Sequence, residues 1–444
     1  MVHATRGENT TSDNGVYPWY VVIVLMLAQT FSFIDRMIMG LLVQPIRTAF
    51  DISDTQFSLL AGFAFAVFYA VMGIPLARIA DAHSRRGLIA AGIALWSVMT
   101  ALCGLAKSYW WLFLARVGVG VGEAALSPAA YSLINDYFSK ASLARALSVY
   151  TIGITLGSGL AYMVGGQVIA WAESVGEVDF GMLGFLEGWQ LTFLMVGVPG
   201  LLVAGLMFTI KEPARKGLSQ ASQGVSIGET LRYLGEHKKA FLTHMLGMAI
   251  FIMVVYSLNV WGPSYLIRTF NMARTDAGLS FGAIIMVSGT AGLLTGGYFA
   301  DKRFSRGEPI AYSRVILVSI MCALPFILLL GADIPRWLGM SSLFIALFFS
   351  SFQGGIAAGV VSLMAPATMR SQLVAIHFLL SNLLGLGLGP TVVAAITDYV
   401  FRSDVALGQS IALSACIMCP LAFFVLRSGT NEVERIIKIR MAEI

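Results

Sequence analysis

The apolar positions of this 444-residue chain form long continuous runs, unlike the narrow apolar stripes of helices on a soluble protein. A helix needs about 20 apolar residues to cross the roughly 30 Å hydrocarbon core of a bilayer. Twelve runs meet this length, at approximately 18–46, 55–80, 87–107, 109–136, 144–172, 190–211, 241–267, 276–301, 310–331, 337–366, 371–400 and 404–427. The pattern therefore predicts an all-α integral membrane protein.

The composition supports this prediction. Hydrophobic residues make up 57% of the chain and charged residues 12%, with a mean hydropathy of +0.79, whereas about a quarter of the residues of a soluble domain are charged. The four cysteines lie in apolar runs, which predicts neither a disulfide framework nor a metal site. Residues 1–16 lack the pattern of a cleavable signal peptide, so we expect the first run to be a retained helix.

The basic residues predict the orientation of the chain. An even number of spans places both termini on one side, and 21 of the 29 Lys and Arg residues fall on that side against six on the other. The positive-inside rule then predicts a multi-pass protein of the inner or plasma membrane with both termini in the cytoplasm. It also accounts for the net charge of +5 without a nucleic-acid partner.

A polar, basic stretch divides the chain six helices plus six. The predicted parts are an N-terminal tail at 1–17, a first bundle at 18–211, a linker with an amphipathic helix at 212–240, a second bundle at 241–427 and a C-terminal tail at 428–444. The segment Ala77-Arg-Ile-Ala-Asp81 ends the second helix, and Gly297-Tyr-Phe-Ala-Asp301 ends the eighth, 220 residues later. This repeat predicts two pseudo-symmetric six-helix bundles with a cavity between them.

Four charged residues lie inside apolar runs: Asp35 and Arg36 in helix 1, and Arg116 and Glu123 in helix 4. Each costs roughly 2.5–3.5 kcal/mol at the centre of a bilayer, so they must pair or face water. Arg116, Gly120 and Glu123 share one face of their helix. Asp35 and Arg36 are about 100° apart around theirs, so we expect them to have different partners.

These charges suggest a transport site. In a functional interpretation, Asp35 and Glu123 carry protons, and Arg36 or Arg116 binds an anionic group of the substrate. The alternative is a static ion-pair network that fixes helix packing. No Walker A motif is present, which argues against ATP hydrolysis, and we expect no enzyme activity, no metal and no cofactor besides the proton as coupling ion.

Two further groups of residues are candidates for function. Asp81, Arg85 and Arg86 follow the second helix, and Asp301 and Lys302 occupy the matching place in the other half, which predicts a gate; charges that only set topology are the alternative. Cavity-lining candidates are Phe65, Tyr69, Tyr131, Asn259, Trp261, His377 and Asn382, although core packing explains each of these taken alone.

The motifs resemble those of the major facilitator superfamily, in the segments Ala77 to Arg86, Arg116 to Gly122 and Gly153 to Gly166. Phe33-Ile-Asp-Arg36 and Trp261-Gly-Pro263 resemble the Spinster subfamily. This resemblance also rests on Gly122-Glu-Ala124, Gly157-Ser-Gly159 and Asn382-Leu-Leu-Gly385, and it extends over nearly all of 18–427. Ala77 departs from the glycine of the superfamily motif.

The resemblance implies a carrier of lysophospholipids or sphingolipids, such as sphingosine-1-phosphate, that is either proton-linked or a uniporter. It also implies alternating access with Asp35 and Glu123 at the coupling site and Arg36 nearby. We therefore expect a monomeric secondary active transporter whose partners are its substrate and membrane lipids. A proton-coupled carrier of organic anions, sugars or drugs and a non-transporting receptor or scaffold are the alternatives.

Overall fold

The fold is an all-α bundle, seen in a computed structural model that describes residues 15–139, 142–181, 184–213, 226–366 and 368–442. Within these residues, twelve helices are long and apolar enough to cross a membrane, as predicted. Helices 1 to 6 are Val16–Leu41, Asp54–Gly73, Arg85–Cys103, Tyr109–Tyr137, Arg145–Val175 and Gly188–Met207. Helices 7 to 12 are Lys238–Phe270, Arg274–Phe304, Ala311–Leu329, Arg336–Met364, Arg370–Phe401 and Asp404–Met441.

Several of these helices are interrupted by short irregular turns. Helix 1 ends in the 3₁₀ turn Met39–Leu41, and a separate helix, Val43–Phe50, follows, where the sequence predicts one continuous helix to residue 46. Pro45 explains the break, because its ring clashes with the carbonyl four residues earlier. The π-helical segments are Leu59–Phe63 in helix 2 and Ser381–Leu386 and Ile396–Phe401 in helix 11.

Short elements connect the spans. A two-stranded antiparallel ribbon pairs Val178–Asp179 with Phe185–Leu186. The linker contains the helix Ile227–Glu236, which begins with a capping box between Ser226 and Glu229. This linker helix buries Tyr233, whose hydroxyl donates to the Met364 carbonyl at 2.9 Å.

The two halves meet through helices 1, 2 and 5 of the first half and helices 7, 8 and 11 of the second. Glycines permit the closest of these approaches. A Cβ atom at Gly282 of helix 8 would lie 2.7 Å from the Gly159 carbonyl oxygen of helix 5. Gly159 and Gly282 therefore form a packing surface between the halves, whereas Gly153 and Gly157 of helix 5 face helix 1 of the same half.

A glycine also sets the packing around helix 4. A Cβ atom at Gly122 would lie 2.7 Å from the Trp96 backbone nitrogen and 2.8 Å from the Gly92 carbonyl oxygen, both on helix 3. We expect Gly122→Ala to lower the free energy of unfolding by about 1–3 kcal/mol because backbone atoms cannot move aside cheaply. Thermal unfolding of the purified protein measures this. Gly297→Ala is the matched control, because a Cβ atom there would meet nothing within 4 Å, and equal melting temperatures for the two variants would contradict the packing argument.

Candidate functional site

The four membrane charges form two separate ion pairs inside the first half. Arg36 Nη2 lies 2.6 Å from Glu123 Oε2, and Arg116 Nη1 lies 3.5 Å from Asp35 Oδ1. All four residues are at most 7% exposed. The structure thus confirms the prediction that these charges pair, and that the adjacent Asp35 and Arg36 serve different partners.

Local sequence explains where Glu123 lies. The first segment of helix 4 ends at Glu123, and the second begins at Leu126. Pro128 causes this interruption because its ring would clash with the carbonyl of Ala124 in a continuous helix. Gly120, one turn earlier, lets helix 2 come close, since a Cβ atom there would lie 2.6 Å from the Phe65 carbonyl oxygen. Helices 1 and 2 can therefore pack tightly around the carboxylate.

The Arg36 guanidinium is enclosed by aromatic rings as well as by its carboxylate. Its Cζ atom lies 4.7 Å from the ring centre of Phe33, 4.4 Å from that of Phe65 and 5.1 Å from that of Tyr69. Ser32 also donates a hydrogen bond of 2.6 Å to Glu123 Oε2. Cation–π contacts hold a guanidinium while leaving its N–H donors available, which suits a cation that exchanges partners.

The second pair, Asp35 with Arg116, lies deeper in the bundle. The Thr100 hydroxyl of helix 3 donates to Asp35 Oδ2. Arg116 is fully buried, and none of its guanidinium nitrogens has a hydrogen-bond partner within the described residues. In this conformation Arg116 is therefore placed to act on Asp35 and has no direct access to a solute.

A second network of charges joins the two halves on the face opposite the chain termini. Arg268 of helix 7 donates to both carboxylate oxygens of Asp54 in helix 2, at 2.6 and 2.8 Å. Arg47 lies 3.1 Å from Asp54 Oδ1 and 2.7 Å from Asp404 Oδ2 of helix 12. We call Arg47, Asp54, Arg268 and Asp404 the outer lock. The bonds from Arg268 to Asp54 and from Arg47 to Asp404 join opposite halves and hold this face closed.

Two more pairs of residues, Thr55 with Asp398 and Arg274 with Glu173, join the halves on the same face. The backbone amide and hydroxyl of Thr55 donate to Asp398 Oδ2, at 2.7 and 2.6 Å. Arg274 of helix 8 pairs with Glu173 of helix 5. Neither the outer lock nor these bonds were among the residues that the sequence predicted for a gate.

The predicted gate residues of the first half bond within that half. Arg85 pairs with Asp136 and lies 2.9 Å from Glu212 Oε1, and Arg86 donates to the Ile210 carbonyl at 2.9 Å. Burial acts to raise the pKa of Glu212, but hydrogen bonds from the Arg86 amide, Arg85 and Ser84 outweigh it and hold that pKa below its usual value. The side chain of Asp81 lies outside the described residues.

The predicted gate residues of the second half also have local partners. Tyr312 donates to Asp301 Oδ1 at 2.7 Å, and Lys302 Nζ donates to the Tyr298 hydroxyl at 3.2 Å. Within the part of the chain that the structure describes, every ion pair on the face that holds the termini lies within one half or its linker. Among the described residues, this face thus shows no ion pair that joins the two halves.

The other predicted binding residues are dispersed. Phe65 and Tyr69 belong to the Arg36 enclosure, and Tyr131 stacks edge-on against Tyr150 at 5.4 Å. Asn259 and Asn382 donate to carbonyls of their own helices. Trp261 is buried and donates to the Pro390 carbonyl, and His377 is buried with its ring 5.6 Å from that of His244. In this conformation His377 packs within the second half, whereas the ring of Trp261 also meets that of Phe57 on helix 2, with 6.2 Å between the ring centres.

Sequence reasoning did not identify several residues that contact the charges. Ser32 lies one turn before Arg36 on helix 1, so its i, i+4 spacing could have identified it. Thr100 and the lock residues Asp54 and Arg268 carry no such local signal.

Comparisons with known proteins agree with this architecture. The family model of the Major Facilitator Superfamily matches residues 25–390. An MFS-type efflux pump of Mycolicibacterium smegmatis is 30% identical over 406 residues, covering 90% of each chain. Protein spinster of Drosophila melanogaster is 26% identical, covering 88% of this chain and 64% of its own length.

A solved structure shares the architecture of this chain over nearly its whole length. The crystal structure of a bacterial homologue of the human lysosomal transporter Spinster, in an inward-facing and unoccupied conformation, matches with a TM-score of 0.77 and 27% identity. The match covers 98% of this chain and 99% of the other. This chain belongs to the Major Facilitator Superfamily and is a transporter of its Spinster subfamily.

Proposed function

We propose that the protein is a secondary active transporter that couples proton movement to transport of an amphipathic lipid with an anionic headgroup. The observation that carries this proposal is the buried Arg36–Glu123 pair, with 2.6 Å between Nη2 and Oε2. A carboxylate in such a place can take up or release a proton, and a guanidinium freed from it can bind phosphate in bidentate geometry.

The charged cluster of Asp35, Arg36, Arg116 and Glu123 indicates whether the proton and the substrate move in the same direction. Two guanidiniums and two carboxylates sum to zero when all are ionised, so the cluster has little attraction for an anion. A proton on Glu123 leaves one positive charge in excess in a region of low dielectric constant. An anionic headgroup near Arg36 restores neutrality, so proton and anion favour each other's binding. This arrangement supports transport of both in the same direction.

Alternating access is supported by the difference between the two faces. The outer lock joins the halves with bidentate, charge-assisted hydrogen bonds. The described ion pairs of the opposite face stay within a half or its linker. Ion pairs between the halves on one face, and none among the described residues of the other, are expected of a carrier open toward its termini, and we propose that the lock breaks in the opposite conformation.

The surroundings of Arg36 support an amphipathic substrate. Phe33, Phe65 and Tyr69 place three aromatic rings within about 5 Å of the guanidinium carbon. A lysophospholipid presents both a phosphate for the cation and an acyl chain for apolar surfaces. We further propose that the monomer resides in the inner or plasma membrane with cytoplasmic termini, on the strength of the basic residues on that side.

One relative favours a second candidate function. The mycobacterial protein that is 30% identical over 90% of this chain is called an efflux pump. If this protein is an efflux pump, the aromatic rings around Arg36 and the Glu123 carboxylate bind organic ions or drugs.

Flux measurements in proteoliposomes separate the two candidates. The probes are fluorescent lysophosphatidylglycerol, a monoacylglycerol that lacks the phosphate, and a lipophilic drug cation. We expect saturable flux of lysophosphatidylglycerol and at least tenfold slower flux of the monoacylglycerol, because loss of a charge-assisted bond costs about 1.5–3 kcal/mol. Flux of the drug cation without flux of the lysolipid would replace our proposal by the second candidate.

A further inference from the structure

The linker helix, Ile227–Glu236, is fixed to the second half by one of its faces. Thr230 and Tyr233 are buried on this face. The Tyr233 hydroxyl donates to the carbonyl of Met364, the last residue of helix 10, and accepts a hydrogen bond of 3.1 Å from Arg440 of helix 12. Helix 7 begins two residues after the linker helix ends. The linker helix therefore lies level with the ends of helices 7 and 10 on the side of the chain termini, at the depth of a membrane surface.

A second face of the linker helix is apolar and exposed. Successive residues of an α-helix turn by about 100° around its axis, so Ile227, Leu231 and Leu234 point in nearly the same direction. Ile227 is 51% exposed, Leu231 is 53% exposed and Leu234 is half-buried. By the same rotation, this direction is about 100° from that of the buried residues Thr230 and Tyr233. The apolar face is thus distinct from the face that packs on the protein.

The charged residues of the linker helix lie on its third face. These exposed residues are Glu229, Arg232 and Glu236. Their mean direction is roughly opposite to that of the apolar face. A helix that lies along a membrane beside its own protein has three surroundings, with the protein on one side and with lipid and water on opposite sides. The faces of the linker helix match these surroundings in number and in direction.

We propose that Ile227, Leu231 and Leu234 insert into the lipid leaflet on the side of the chain termini, at the boundary between the headgroups and the acyl chains. The charged face then lies in water. The linker helix is an interfacial anchor, because its lipid-facing residues and its bonds to helices 10 and 12 together hold the second half to this leaflet. This role goes beyond the proposed function, since it holds whatever solute the protein carries.

The residues that follow the linker helix favour lipid as the occupant of its apolar face. Lys238 and Lys239 are exposed at the start of helix 7, where cations are attracted by the negative charge of lipid phosphates. Leu242 and Leu246 follow within the next turns and are each 40% exposed. This order of apolar face, cations and exposed leucines is expected where a chain passes from the surface of a membrane into its hydrocarbon core.

Spin labels in proteoliposomes of phosphatidylethanolamine and phosphatidylglycerol test the surroundings of each face. The labels are carried by Leu231→Cys on the apolar face and by Glu236→Cys on the charged face, with serine at Cys322 and Cys416, the cysteines that are not buried. Oxygen concentrates in hydrocarbon, whereas a polar nickel complex stays in water. We expect the ratio of collision rates with oxygen and with nickel to be roughly tenfold higher for Leu231→Cys than for Glu236→Cys.

Two results of this measurement would overturn the proposal. Equal ratios at both positions would place the apolar face in water. A label at Leu231→Cys that neither reagent reaches would show that protein, such as a second copy of the chain, covers this face instead of lipid.

A second pair of variants tests insertion without relying on one label position. Ile227→Asp places a carboxylate on the apolar face, and we expect it to lower the ratio at Leu231→Cys severalfold because a charged group resists insertion. Arg232→Asp is the matched control, since it places the same carboxylate on the charged face and should leave the ratio unchanged. Equal effects of Ile227→Asp and Arg232→Asp, or no effect of Ile227→Asp, would contradict the anchor.

Discussion

Arg268→Ala is expected to open the outer face and to abolish uphill transport. The substitution leaves the Asp54 carboxylate, which is fully buried, with Arg47 as its remaining cationic partner at 3.1 Å. Breaking a buried ion pair by removing one partner costs about 3–5 kcal/mol. A change of that size shifts a two-state equilibrium by roughly two to four orders of magnitude, which suffices to make the outer-open state dominant.

Distances between spin labels on Thr48 and Ser403, which are exposed on that face in the first and second halves, measure this opening. The background carries serine at Cys322 and Cys416, the cysteines that are not buried. Arg336→Ala is the control, because this exposed arginine on the same face forms no ion pair within the described residues. The combination of Arg268→Ala with Asp54→Asn should open the face less than Arg268→Ala alone, since the buried carboxylate that lost one of its two cationic partners is then absent. An Arg268→Ala distance distribution identical to wild type would contradict the lock.

Arg36→Ala is expected to lower flux at least a hundredfold and to remove lysolipid binding. The substitution removes the proposed anion-binding group, and it leaves the buried Glu123 carboxylate with the Ser32 hydroxyl as its described hydrogen-bond donor. The carboxylate has then lost the cation whose release our proposal couples to proton uptake, so proton uptake can no longer drive substrate binding. Binding of lysophosphatidylglycerol to the purified protein and its initial flux are the measurements.

Arg36→Lys supplies a matched comparison for this substitution. Lysine keeps the positive charge but lacks the planar, bidentate fork and stacks less well on aromatic rings. We therefore expect intermediate binding, weaker than wild type by roughly tenfold. Wild-type affinity for lysophosphatidylglycerol in Arg36→Ala would show that Arg36 does not bind the substrate. Equal losses of affinity in Arg36→Ala and Arg36→Lys would show that the planar shape of the guanidinium, and not its charge alone, determines binding.

Much of the architecture follows from the sequence because each membrane helix is specified by its own composition. The charged residues within apolar runs also had to pair or face water, and the angle between Asp35 and Arg36 indicated separate partners. Both conclusions depend on one helix at a time. The break after Glu123 likewise follows from Pro128 alone.

The contacts between the halves could not be predicted in this way. Asp54 and Arg268 are 214 residues apart, and each resembles a charge at the end of a membrane helix. The repeated motif drew attention to Arg85 and Asp301, but their bonds in this conformation are local, and a role between the halves requires the opposite conformation.

The most direct test of proton coupling is lysophosphatidylglycerol flux in proteoliposomes with and without an imposed pH gradient, for wild type, Glu123→Gln and Asp35→Asn. We predict that the gradient drives accumulation by wild type and that both variants lose this accumulation. Flux that ignores the gradient and both substitutions would contradict proton coupling through these carboxylates. A complete absence of solute flux in folded wild-type protein would contradict our proposal of lipid transport.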